Sequence, residues 1–136
     1  MDLEKMYKLF PEQKDFIVWL EGVRWGNNLA CPYCGANKGI SRQAGENRKA
    51  RLHCNNCKKS YSVTVDTAMQ GSKMDLRKWV LTAHILSLNS DISYRKLSAL
   101  TGVTAANTFT IAKKIRQALT DEDIFLKNIL KNIEKM

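Results

Sequence analysis

The sequence predicts a small α+β protein, and three observations predict it. All four cysteines fall in two C-x2-C pairs inside one basic stretch, Cys31 to Tyr61, whose later part alternates like strand. Beyond it, apolar residues recur at helical spacing in segments that begin with capping residues. The segment 121–136 then repeats Ile124, Phe125, Leu126, Ile129, Leu130 and Ile133 as one wide apolar stripe.

The chain has 136 residues, enough for one ordinary domain or two very small ones. Its hydrophobic content of 44% is near the globular norm. The formal net charge is +9 and the pI about 9.5, a balance that points toward a polyanionic partner, most often nucleic acid. No run approaches the length of a membrane span, and MDLEKMYKLF lacks the basic-then-apolar order of a signal peptide. A cytoplasmic protein without membrane partner is expected. In that reducing compartment paired cysteines are metal ligands more often than disulfides.

Charge is uneven along the chain. Residues 31–60 hold seven basic groups against one acid, Glu46, and residues 93–120 hold five basic groups and no acid. Each block coincides with a distinct motif.

The opening segment FPEQKDFIVWLEGVRWG reads as a helix. Pro11 suits its first turn, and Glu12 and Asp15 suit its positive end. Phe16, Trp19, Leu20 and Val23 share its apolar face, and Trp25 is expected to pack on the metal module. The segment ARLHCNNCKKSYSVTV reads as a small hairpin. Residues 75–88 read as a helix capped by Asp75, with Leu76, Trp79, Val80, Ala83, Leu86 and Leu88 on its apolar face and His84 packing near it. Ser93 can cap a short helix carrying Tyr94, Leu97 and Leu100. Thr101-Gly102-Val103 is a tight turn, and Thr104 can cap a second helix with Ala105, Phe109, Ala112, Ile115 and Leu119 on its apolar face. Two helices joined by a Gly-containing turn match a helix-turn-helix pattern. The tail begins with acids suited to a helix start, and its stripe can pack back on the chain or pair with a second copy through Ile124, Phe125, Ile129, Leu130 and Ile133. The expected organisation is an N-terminal helix plus zinc ribbon over 1–68, a mostly helical helix-turn-helix unit over 72–120, and an amphipathic C-terminal helix over 121–136.

The four cysteines, Cys31, Cys34, Cys54 and Cys57, stand as two pairs separated by 19 residues. Four thiolates satisfy one tetrahedral Zn2+ and leave no open coordination position, so the site reads as structural; a rubredoxin-type iron centre is the alternative. Gly35 fits the tight turn of a knuckle. His53 reads as a packing or contact residue beside Cys54.

In the helix-turn-helix, the second helix would place Ala106, Asn107, Thr108 and Thr110 at base edges. Lys113, Lys114 and Arg116, further along, suit phosphates, as do Arg95 and Lys96 on the preceding helix. Arg42, Arg48, Lys49 and Arg51, in the ribbon's loop, would extend DNA contact or meet a protein partner instead.

The ordered set is similar to a known family. Phe10, then WLE and RWG at 19–26, CPYCG, RLHCNNCKKSYSVT, GSKMDLRKW and KKIRQAL follow one another over roughly residues 10–119. This resembles the N-terminal region of insertion-sequence transposases that carry a zinc ribbon ahead of a DDE nuclease. The resemblance implies that Cys31, Cys34, Cys54 and Cys57 are zinc ligands, that residues around 76–119 belong to a DNA-end-binding region, and that Phe10, Trp19, Leu20, Arg24 and Trp25 form a packing helix before the ribbon. The family's nuclease needs three spaced carboxylates for two metal ions. Here Asp121, Glu122 and Asp123 are adjacent and head a helical pattern, which the helix dipole explains better than two-metal chemistry.

No serine–base pair, phosphate-cradling glycine loop or open metal site is visible, so an enzyme and a small-molecule substrate are not expected. The leading expectation is a sequence-specific double-stranded DNA-binding protein related to a transposase, a regulator or mobile-element accessory factor. A zinc-ribbon adaptor docking on a polymerase or full-length transposase, or an N-terminal fragment of a transposase, are the competing readings.

Overall fold

The computed structural model describes residues 1–43 and 51–136. Among them are six helices and one three-stranded antiparallel sheet, in the order α1 (Leu3–Leu9), α2 (Gln13–Trp25), β1 (Ile40–Gln43), β2 (Arg51–Cys54), β3 (Ser60–Tyr61), α3 (Leu76–Leu88), α4 (Tyr94–Thr101), α5 (Ala105–Thr120) and α6 (Ile124–Glu134). A small mixed α+β chain is what the sequence predicts.

Helix α1 was not expected. Asp2 caps it by accepting from the Lys5 amide at 2.8 Å, and Met6 is its buried residue. Helix α2 starts at Gln13, two residues later than Pro11 suggests: Glu12 is the cap, with Asp15 reaching back to the Glu12 amide in a capping box. Phe10, Phe16 and Trp19 then pack ring to ring, with Phe16 and Trp19 stacked at 5.4 Å.

Helix α3 is the axis of the helical body. Asp75 caps it as expected, accepting from the Arg77 amide. Leu76, Trp79, Val80, Leu81, Ala83 and Leu86 are buried, and so are Thr82 and His84, as befits a helix surrounded on most sides. Thr82 satisfies its hydroxyl on the Lys78 carbonyl. His84 packs in the interior with Nδ1 unpartnered, and burial, then the N-terminal ammonium, lowers its pKa despite Glu134. Leu88, expected on the apolar face, is two-thirds exposed because it lies in the last, unpacked turn. Arg77 joins the start of α3 to the α1–α2 link, donating to the carbonyls of Phe10 and Pro11 while it pairs with Asp75 at 2.7 Å.

One cluster of buried side chains runs from Met6 and Phe16 through Trp79, Leu97 and Ile115 to Ile129 and Ile133. A second, smaller cluster gathers Cys31, Leu52, Cys54, Tyr61 and Val65. Packing therefore divides the expected 1–68 unit: α1 and α2 share a core with the later helices, and the four-cysteine module has its own.

The tail resolves toward the same chain. Helix α6 packs on α2, α3 and α5. Of the residues expected to serve a dimer, Ile129, Leu130 and Ile133 are buried in that core, Phe125 is half-buried, and Ile124 alone stands open at 76% exposure. Most of the stripe is thus spent on the chain's own core. Ile129→Ala is therefore expected to cost about 2–5 kcal/mol in urea unfolding, and Ile124→Ala less than about 0.5 kcal/mol. The reverse order would mean that the stripe faces outward.

Candidate metal centre and nucleic-acid interface

The two cysteine pairs build two similar turns. In the first, the Gly35 amide donates to the Cys31 carbonyl at 2.9 Å; in the second, the Lys58 amide donates to the Cys54 carbonyl at 2.8 Å. The residue after each second cysteine adopts the left-handed conformation, Gly35 at φ 77° and Lys58 at φ 65°. Glycine takes that conformation freely; Lys58 takes it at a cost that the turn must offset. The strands then bring the turns together. Cys54 ends β2 opposite Ile40 of β1, and Leu52 pairs with Tyr61 of β3.

All four thiols are free, and their sulfurs lie within 4.8 Å of one another. The Cys31–Cys57 and Cys34–Cys54 separations are both 3.6 Å. Four thiolates around one tetrahedral ion at about 2.3 Å would stand roughly 3.8 Å apart, so the donor set fits such an ion. Cys34 and Cys57 are pushed in opposite directions. The Asn56 side-chain amide, first among several hydrogen bonds, holds Cys34 down to about 6. Against a lowering hydrogen bond from the Lys59 backbone, burial and the other three sulfurs push Cys57 up to about 11. A divalent cation among them removes that conflict.

Helix α2 seats this module on the helical body. Glu21 is 2% exposed and receives both Nη groups of Arg42 from β1, at 2.5 and 3.1 Å. Arg24 donates to the carbonyls of Val63 and Val65 at 2.8 and 2.7 Å and lies over Trp25. Trp25 meets Tyr61 edge to face at 5.9 Å, as expected of a residue packing on the metal module. Tyr61 in turn donates to the Ala30 carbonyl. His53 reaches Ser60 across the hairpin.

These contacts redistribute the expected site residues. Arg42 is engaged by a buried carboxylate rather than left free for phosphate. Arg51 is exposed on β2. Arg48 and Lys49 lie outside the described residues.

Helices α4 and α5 are joined through Gly102, which caps α4 in the left-handed conformation at φ 71°. Ser93 and Thr104 cap the two helices as expected. The turn is pinned from within: Ser98 and Thr101 hydroxyls bind the carbonyls of Val103 and Leu97, and Thr101 and Val103 are buried. Helix α5 buries Thr108, Ile111, Ala112, Ile115 and Ala118. That face is rotated from the expected one. Thr108, expected at a base edge, is fully buried with its hydroxyl on the Thr104 carbonyl, whereas Phe109, expected in the core, is 45% exposed.

Ala106, Asn107, Thr110, Lys113 and Lys114 remain together on the exposed face of α5. Arg95 and Lys96 are exposed on α4. Arg116 is half-buried and tied to the Tyr94 hydroxyl at 2.9 Å and the Ser90 carbonyl at 3.0 Å, so it braces α4 against α5. Phe109, missed as a surface residue, packs edge-on against Tyr94 and carries the Lys113 ammonium 4.5 Å from its ring centre. A helical plot centred on Ile111 and Ile115 rather than on Phe109 would have found it.

The fold and site thus define a small α+β protein with a four-cysteine cluster capable of holding a metal ion and no helix long and apolar enough to cross a membrane, among the described residues. The chain is similar to an uncharacterized protein in transposable element ISH50 of Halobacterium salinarum, at 26% identity over 113 residues. The match covers 82% of this chain and 37% of that protein, so the chain spans little more than a third of its relative's length. No family model matches the chain, and no solved structure does.

The module's own core counts two of the cysteines among its five buried residues, too little apolar surface to hold it alone. Metal removal by a strong chelator is expected to collapse the amide dispersion of residues 29–43 and 51–61 while the helical signals of α3 and α5 persist. An amide spectrum unchanged after the metal is gone would contradict a folding role.

Proposed function

We propose that this chain is a sequence-specific double-stranded DNA-binding protein of transposon origin, in which α4 and α5 act as a helix-turn-helix and the four-cysteine module is a zinc ribbon. The observation that carries the reading is the outer face of α5. Ala106, Asn107 and Thr110 are exposed in its first two turns, unclaimed by packing, and Lys113 and Lys114 follow one turn on. In such a helix the early residues meet base edges and the later cations meet phosphates. Asn107 can pair with adenine through two hydrogen bonds, and Ala106 or Thr110 can lie against a thymine methyl. The excess of positive charge, +9 in all, supplies the long-range attraction.

Zinc has a structural role in this reading. Four thiolates complete its coordination, so no position is open for water or substrate. The metal holds the ribbon, the ribbon rests on α2, and α2 shares its core with the helices that meet DNA. The protein acts as a regulator or mobile-element accessory factor without catalysis of its own. The partial coverage of the ISH50 relative favours a second reading, in which this stretch is the DNA-end-binding part of a longer transposase; the downstream reading frame separates the two.

Selection of bound duplexes from a random pool at physiological salt tests the proposal. An enriched motif is expected. Asn107→Ala should then relax preference at one position, by about 1–3 kcal/mol of discrimination. No enrichment, or equal losses by Asn107→Ala on all duplexes, would move the function to a protein-docking adaptor.

A further inference from the structure

Beside the outer face of α5 lies a groove of about 470 Å³ that neither the cysteine module nor the base-reading residues explain. Its cationic lining is Lys73, Lys78 and Lys114, and its apolar walls include Met74, Trp79 and Ile111. We propose that this groove seats the sugar–phosphate backbone of the duplex whose bases α5 reads. The proposal rests on the DNA-binding reading above and adds Lys73 and Lys78, from the α3 side, to the interface.

Three features carry it. First, the groove is continuous with the reading face, because Asn107 and Thr110 line it too. A strand whose bases meet those residues brings its backbone past the groove's mouth. Second, the charge there exceeds what the described residues compensate. The one carboxylate among its lining residues, Asp75, is held by Arg77 through Nη2 at 2.7 Å and Nε at 3.0 Å. Lys73 is exposed, and Lys78, near enough to Asp75 to help lower its pKa, donates to the Gly102 carbonyl at 3.4 Å, which keeps its ammonium at the turn that starts α5. Apolar walls lower the local dielectric and concentrate the field of the three ammoniums. Third, the charge has an edge. A neighbouring groove shares Ala68 and Lys114 but is lined by Gln70, Gln117, Asp121 and Asp123. Its carboxylates repel a phosphate, so the backbone's path is directed from Lys114 toward Lys78 and Lys73 and away from α6.

The test compares the metal-loaded wild type with Lys73→Gln/Lys78→Gln by fluorescence anisotropy on one duplex across a salt series. Removing one lysine–phosphate pairing lowers the slope of log affinity against log salt by about 0.9, so the double variant should be shallower by roughly two. Duplexes should keep their rank order, since pairing with phosphate carries no sequence information. Gln70→Ala, in the acidic groove, should leave the slope unchanged. If melting curves show that the double variant does not fold, Lys73→Gln alone, at an exposed position, should lower the slope by about one. An unchanged slope in a folded variant overturns the proposal. A wild type that binds duplex without preference overturns the assignment of bases to α5, yet the slope comparison still decides the groove. A wild type that binds no duplex overturns both.

Discussion

Four cysteine sulfurs lie within 4.8 Å of one another, and as thiolates they repel unless a cation sits between them. That requirement shapes the first half of the chain. Two similar turns, one on Gly35 and one on Lys58, aim the sulfurs inward, and a sheet of short strands keeps the turns in register. The module has so little apolar interior that the two buried cysteines belong to its core. A metal ion held there would serve as the interior that the module is too small to supply.

Helix α2 transmits that order to the rest of the molecule. One side contributes Phe16, Ile17 and Leu20 to the helical core, while Glu21, Arg24 and Trp25 face the cysteine module. Glu21 is a buried carboxylate that only Arg42 compensates among the described residues, so the pair fixes the position of β1 more than it adds stability. Helix α6 adds to that core by packing on α2, α3 and α5. The result holds α4 and α5 on a rigid base, with the outer face of α5 left to solvent.

Much of this was legible in the residues. The C-x2-C spacing picked out the four cysteines that the fold gathers, because two thiolates three residues apart can meet at one point in almost any turn. The caps Asp75, Ser93, Thr104 and the turn glycine Gly102 set the boundaries of α3, α4 and α5, since capping is local chemistry. What escaped were choices made by tertiary packing. Phe109 looked like core and Thr108 like surface, yet Thr108 is fully buried with its hydroxyl on the Thr104 carbonyl, and Phe109 is left partly exposed. The β3 strand stops at Tyr61 rather than running on through Val65, because Ser62 and Thr64 bond to each other and Thr67 to the Thr64 carbonyl, folding the chain out of the sheet. Arg42 read as a free cation because its partner, Glu21, is twenty-one residues away on another element. The wide stripe of α6 allowed packing on the chain itself or on a second copy, and it is the neighbouring helices that draw most of it inward.

The proposed function assigns bracing to the metal and base reading to α5. Chemical-shift mapping of the metal-loaded, isotopically labelled protein with an added duplex tests that division of labour most directly. Amide shifts are expected to concentrate in the first turns of α5, residues 104–114, with a second set at Lys73 and Lys78, while Cys31, Cys34, Cys54 and Cys57 stay where they are. Shifts confined to the cysteine module or to α6, with α5 unperturbed, would contradict it.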